Sequence, residues 1–180
     1  MNRTRLQALG LLAAWCLASA APARADEITE IARLQKAGLT VEAMAMVDQA
    51  LATRPKDPQL RFLKGVLLTD AKRNAEAIAV FALLNEDYPE LAEPYNNLAV
   101  LYAGQGQLDK ARVALEGAVR SNPNYATAYE NLGDVYARLA VQAYARALAL
   151  DADNASLAPK IAQLRTLSGS KPAEARPAPP

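Results

Sequence analysis

The chain has no histidine, one cysteine, one tryptophan and two phenylalanines among its 180 residues. Without histidine there is no imidazole to move protons near neutral pH or to ligate zinc. The one cysteine, Cys16, lies in an N-terminal stretch that reads as a leader. The body of the chain therefore has no thiol nucleophile, no disulfide and no Cys/His metal site. Runs of valine and isoleucine are few; alanine and leucine carry most of the 52% hydrophobic content, which favours helices over sheet. No Ser-Lys or paired-carboxylate constellation stands apart from the scattered surface acids. The expectation is a protein that is not an enzyme and holds neither cofactor nor metal.

The leader reading rests on three features: a basic start, MNRTR, a short apolar run, LQALGLLAAWCLASA, and the small-x-small step Ala23-Arg24-Ala25. The apolar run contains Gln7 and falls short of the ~20 residues of a membrane span. Residues 1–25 are thus expected to be a signal peptide cut before Asp26. A cut after Ala20 is the rival position, and an uncleaved N-terminal anchor the alternative. Bulky Trp15 before Cys16 argues against a lipid-anchored start. Loss of Arg3, Arg5 and Arg24 would leave 17 basic residues against 19 acidic ones, a charge of −2. Nothing in that balance suggests a groove for nucleic acid or an affinity for an anionic membrane, and neither is expected as a partner. Export together with a cysteine-free body fits a bacterial periplasm, where oxidising conditions make stray thiols hazardous.

What the sequence does contain is a period. Pro55, Pro89 and Pro123 are spaced by 34, as are Ala43, Ala77 and Ala111. Tyr95/Tyr129, Leu98/Leu132 and Tyr102/Tyr136 repeat at the same interval, and Gly65 lies two periods before Gly133. In the clearest unit, Tyr95, Leu98, Leu101 and Tyr102 mark one amphipathic stripe, and Leu108, Ala111, Leu115 and Ala118 mark a second. Gly104 and Gly106 break the chain between them, and Ser121-Asn122-Pro123 ends the second helix.

These units resemble the tetratricopeptide repeat. Tyr95, Leu98, Tyr102, Gly106, Ala111, Ala118 and Pro123 carry the resemblance in the third unit, and Tyr129, Leu132, Gly133 and Tyr136 in the fourth. Gly65, Leu68, Ala77, Phe81 and Pro89 carry it in the second; the first matches only through Gly38, Ala43, Val47, Ala50 and Pro55. The resemblance implies an all-α fold, a short right-handed superhelical stack of antiparallel helix pairs. A degenerate first repeat spans 26–57, the second 58–91, the third 92–125 and a shortened fourth 126–153. In such a repeat Tyr95, Tyr102, Tyr129, Tyr136 and Tyr144 are expected to be core aromatics, with Phe81.

The fourth unit breaks the pattern. The family places eight residues between the positions of Tyr136 and Ala140; here there are three. The five missing residues are those that would form the turn. No glycine, proline, asparagine or aspartate lies between Val135 and Leu150, and helix formers fill the gap. Apolar positions run on without a break of phase through Leu132, Tyr136, Leu139, Ala143, Ala147 and Leu150. One fused helix is expected over about 126–150, roughly 37 Å long at 1.5 Å per residue. Its distal half needs cover. A capping helix over 154–167, with Asn154 or Ser156 as cap and Pro159 in the first turn, is expected to fold back through Leu157, Ile161 and Leu164. A second molecule could also take that face, through Leu139, Ala143, Tyr144, Ala147 and Leu150, giving a homodimer. Residues 168–180, rich in proline and alanine, are expected to be a disordered tail.

By the same resemblance, the first helices of the units line a groove that binds an extended peptide or a helix of another protein. Carried over by position, its lining is Phe62, Val66 and Thr69, then Asn96, Asn97 and Val100, then Glu130, Asn131, Asp134 and Arg138. Asn97 and Asn131 stand where the family often bonds a ligand's backbone; they could equally bond neighbouring helices and only stabilise the stack. The basic clamp by which some members hold a chaperone's C-terminal carboxylate is absent, since Phe62, Val66, Asn96 and Glu130 occupy its places. The expected function is a non-enzymatic interaction scaffold of the cell envelope, its partner another envelope protein with apolar anchors and a basic residue. The alternative is a structural component that self-associates through the fused helix.

Overall fold

The computed structural model describes residues 20–168, with side chains from Ala25 to Leu167. Most of the expected leader and nearly all of the expected tail lie outside the described residues. The described residues form eight helices and no strand. They divide into two compact units, one ending at Arg54 and one beginning at Pro55.

The first unit is a helical hairpin. Helix α1 (Ala20–Lys36) runs unbroken past Asp26, through the expected cleavage position, and α2 (Thr40–Thr53) returns along it. Ile31 of α1 and Ala43, Val47 and Ala50 of α2 are buried, and Arg54 pairs with Glu27.

The second unit contains the other six helices. Helix α3 (Pro58–Asp70) starts where Asp57 accepts bonds from the backbone N–H groups of Gln59 and Leu60, with Pro58 in the first turn. It packs on α4 (Asn74–Asp87) through Leu60, Phe62, Leu67, Leu68, Ala77, Phe81 and Leu84, all buried. Helices α5 (Ala92–Gly104) and α6 (Leu108–Ser121) form the next hairpin. Its core of Ala99, Leu108, Ala111, Leu115 and Ala118 continues into Ala128 and Val135 of α7 (Ala126–Leu150).

The period recurs in backbone geometry. Gly38, Lys72 and Gly106, spaced by 34, all sit at positive φ, +75°, +60° and +74°. The next residue in each turn donates its N–H back across it: Leu39 to Leu34, Arg73 to Leu68 and Gln107 to Tyr102, at 3.0, 2.9 and 2.9 Å. Each second helix ends alike, with Arg54, Tyr88 and Asn122 donating to the carbonyls of Ala50, Leu84 and Ala118. A proline then follows and stops the helix.

The fused helix is present as expected. Helix α7 is a single rod of 25 residues from Ala126 to Leu150, against 14 in α6. It closes with Asp151 donating to Ala147. Helix α8 (Leu157–Ser168) folds back on its distal half, burying Leu157 and Ile161 and half-burying Leu164. Asn154 accepts from the N–H and hydroxyl of Ser156 just ahead of α8. The Lys160 ammonium lies 5.5 Å from the Tyr144 ring centre.

One expectation needs correction. Tyr95 and Tyr102 pack against the core and Tyr144 is half-buried, but Tyr129 and Tyr136 are 49% and 48% exposed. In the preceding hairpin a second helix returns over the first. Here α7 runs straight on, so no second helix covers Tyr129 and Tyr136.

Candidate functional site

The residues carried over to the groove divide into two sets. Phe62, Val66, Asn96, Asn97 and Asn131 are buried, whereas Thr69, Val100, Asp134 and Arg138 are half-buried and Glu130 is exposed.

The buried set is engaged inside the fold. Phe62 tilts against Phe81 with ring centres 5.8 Å apart, so it belongs to the α3–α4 core. The Asn131 amide donates to Asn96 Oδ1 at 2.7 Å, tying α7 to α5 through two buried side chains. Asn97 donates to the Glu93 carbonyl one turn back on its own helix, at 2.8 Å. These bonds satisfy polar groups that burial would otherwise leave costly. Each takes one of the two N–H donors of its amide.

The accessible set is shaped by α7. Glu130, Asp134 and Arg138 recur every four residues and so share one face. Arg138 donates to the Ala103 carbonyl at 3.0 Å, at the C-terminal end of α5, where the same oxygen also accepts the Gly106 N–H at 3.1 Å. Its positive charge also meets the negative end of that helix dipole. Burial raises the Asp134 carboxyl above its ordinary range, the Glu130 carboxylate raises it further, and Arg138 pulls the other way. Thr69 donates to the Gly65 carbonyl at 2.9 Å, leaving its methyl and Val100 as apolar surface. Two carboxylates on one stripe, beside apolar surface, suit a ligand that carries a basic group.

The proposed oligomer face is split as well. Leu139 packs against the α5–α7 core, and Tyr144 and Ala147 are half-buried on the helix that α8 covers. Ala143 is exposed and Leu150 is 78% exposed. A cleft between α4 and α6, lined partly by Asn85, Tyr95 and Tyr102, lies outside the groove positions. Its one sequence signal is an asparagine at 85 where the neighbouring units carry Leu51 and Val119. Among the described residues no group of histidine, cysteine, aspartate or glutamate could hold a metal ion, and no helix is long and apolar enough to cross a membrane.

Two family models match the chain, one described as tetratricopeptide repeat over residues 34–99 and one as TPR repeat over residues 101–139. The chain is 38% identical over 79 residues to the chloroplastic tetratricopeptide repeat domain-containing protein PYG7 of Arabidopsis thaliana. That match covers 41% of this chain and about a quarter, 26%, of the relative. Among solved structures, the thermophilic TPR protein TTC0263 of Thermus thermophilus superposes with a TM-score of 0.59 at 24% identity, covering 80% of this chain and 82% of that one. MamA of Desulfovibrio magneticus RS-1 superposes with a TM-score of 0.54 at 22% identity, covering 81% and 75%. At such identities the likeness speaks for the fold. With a 34-residue period in sequence, turn geometry and helix ends, and family models that together span more than half of the chain, the protein belongs to the tetratricopeptide repeat family.

Proposed function

We propose that this protein is an exported, non-enzymatic scaffold of the bacterial cell envelope that holds a peptide segment or helix of another envelope protein against its first helices. Proteins of this repeat generally mediate protein–protein interactions and typically act as scaffolds rather than enzymes. The observation that carries the reading is the α7 stripe of Glu130, Asp134 and Arg138, with Val100 of the neighbouring α5 half-buried and apolar. Two carboxylates complement a basic residue of the partner, and Val100 with the Thr69 methyl complements its apolar anchor. The buried asparagines each bond within the fold, and the reading rests on side-chain recognition at the accessible set. The compartment rests on the leader reading of residues 1–25 and on the absence of cysteine from the rest of the chain.

A photo-crosslinking amino acid at Val100 or Glu130, introduced in intact cells, tests this. A discrete protein adduct is expected from both positions, absent from the exposed control position Val41 and lost when Asp134→Lys is added. An adduct of equal yield from Val41, or one indifferent to Asp134→Lys, removes the groove.

A second reading, self-association through the fused helix, is favoured by one observation: Ala143 and Leu150 remain exposed beside α8. Sedimentation across a dilution series separates the two. A concentration-dependent dimer dissociated by Leu150→Glu supports self-association, and a monomer throughout removes it.

A further inference from the structure

The second helices α4 and α6 leave a cleft of about 550 Å³ between them, with α5 as its floor. Tyr95, Leu98 and Tyr102 form the floor, Asn85 stands in the α4 wall and Val113 in the α6 wall. Asp109 and Lys110 lie where α6 starts, and Glu86 and Arg120 where α4 and α6 end, so each mouth has one acid and one base.

Asn85 is the anomaly in this cleft. Among the described residues five polar side chains are buried, and Asp57, Asn96, Asn97 and Asn131 all have hydrogen bonds. Asn85 is only 7% exposed, yet neither its amide nitrogen nor its amide oxygen has a partner. Burying an amide without a bond penalises the folded state, and such exceptions need a reason. The repeat supplies no structural one, because the equivalent positions one period away are Leu51 and Val119. An aliphatic side chain is what this place accepts elsewhere in the chain.

We propose that the cleft binds an extended, uncharged peptide segment of a partner protein, with an aliphatic side chain on Leu98 between the two tyrosines and a backbone amide paired to Asn85. A primary amide offers donor and acceptor side by side, the complement of one peptide unit. The terminal torsion of asparagine is broad, so the group can turn from the wall to an arriving ligand. The balanced mouths give no net charge to attract phosphate or nucleic acid. The volume falls within the roughly 300–1,000 Å³ of ligand sites. The cleft shares no lining residue with the Glu130–Arg138 stripe and stands independently of the role proposed for it.

The test is a titration of the full chain with the blocked tripeptide acetyl-Ala-Leu-Ala-amide, followed by NMR of the Asn85 side-chain amide. A saturable shift at millimolar peptide is expected, with binding weakened about tenfold or more by Asn85→Leu. The same loss is expected for an analogue whose leucine N–H is replaced by an ester oxygen. Asn85→Leu should also raise the melting temperature, which shows that lost binding is not lost folding. Val113→Glu, at a position 56% exposed, should abolish binding with the fold intact. Asp134→Lys should leave binding unchanged. Equal binding by the Asn85→Leu protein, or no saturable shift, overturns the proposal. Equally tight binding of acetamide alone would overturn the peptide assignment in favour of a small amide.

Discussion

Gly106 and Ala140 are one period apart and do opposite things. Gly106 sits at φ +74° and lets the chain reverse between α5 and α6, as Gly38 and Lys72 do in the two turns before it. Ala140 lies in the middle of a helix 25 residues long. The difference is five residues. Second helices are capped by Arg54, Tyr88 and Asn122, and the next cap in step would fall at 156; α7 is capped by Asp151. Excising the turn did not disturb the helical phase on either side, because the joined segment contains only residues that tolerate helix. A hairpin in this fold is therefore imposed by a few turn residues, and removing them turns two short helices into one long helix.

The strongest way to break the comparison is to put a helix stop back. Ala140→Pro removes the N–H that Ala140 gives to the helix and places a ring against the preceding turn, costing about 3 kcal/mol. The cost should be local. Hydrogen exchange is expected to show lost protection over the distal half of α7 and α8, which depend on each other, with α5 and α6 unchanged. Uniform loss across all six helices would mean that the rod is an integral part of the stack and not an extension of it.

A paired substitution sharpens the same contrast. Gly65 and Gly133 occupy the same place two periods apart. A Cβ at Gly65 would lie 2.6 Å from the Phe81 ring, since α4 folds back onto it, and Phe81 is fully buried. At Gly133 a Cβ would meet nothing within 4 Å, because no second helix returns there. Gly65→Ala should destabilise by about 1–3 kcal/mol through overpacking. Gly133→Ala should stabilise by up to about 1 kcal/mol through helix propensity alone. Urea unfolding of the two variants gives the signs directly.

That pair also shows what was legible in the sequence. The second and fourth units carry glycine at this place and the third carries Ala99, and only the missing five residues indicate that Gly133 has no returning helix to make room for. The deletion and the run of helix formers were enough to place α7 and to anticipate α8 behind Leu157 and Ile161. They did not show that Tyr129 and Tyr136 would be left half-exposed, because the family position of a tyrosine says core and is silent about a partner helix that never returns. Position alone cannot tell a side chain that faces a ligand from one that faces the next helix. Asn96, Asn97 and Asn131 look like surface asparagines in sequence. Only the 2.7 Å bond between Asn131 and Asn96, 35 residues apart, and the bond from Asn97 to the Glu93 carbonyl show them engaged inside the fold.

The turns themselves permit a smaller test. Lys72 adopts the left-handed conformation that Gly38 and Gly106 adopt without a side-chain penalty. The conformation costs a residue with Cβ about 1–2 kcal/mol, part of which glycine returns through its freer unfolded chain. Lys72→Gly should therefore stabilise by about 0.5–1 kcal/mol, read as a higher urea midpoint at unchanged slope. No gain would mean that the second turn holds lysine at no cost, and that the three reversals are alike in shape but not in strain.

The smallest effect expected concerns Asp134, on the half of α7 that stays within the stack. Burial, then Glu130, raises its pKa above the ordinary carboxylate value. The folded chain thus holds this proton more tightly than the unfolded chain, whose value is about 3.9. Between the two values the folded form binds more protons, so stability falls as pH rises through that window, and the cost is fully present above it. Asp134→Asn should stabilise at pH 7 by about 0.5 kcal/mol or less, the residue being only partly buried. The gain should vanish once the pH drops below the unfolded carboxylate value, where both proteins are neutral at this position. Denaturant midpoints at the two pH values decide it: a gain that persists in acid comes from packing and not from charge. A partner's basic group held by Glu130 and Asp134 would lower that pKa again, so the same pH series with partner bound should flatten.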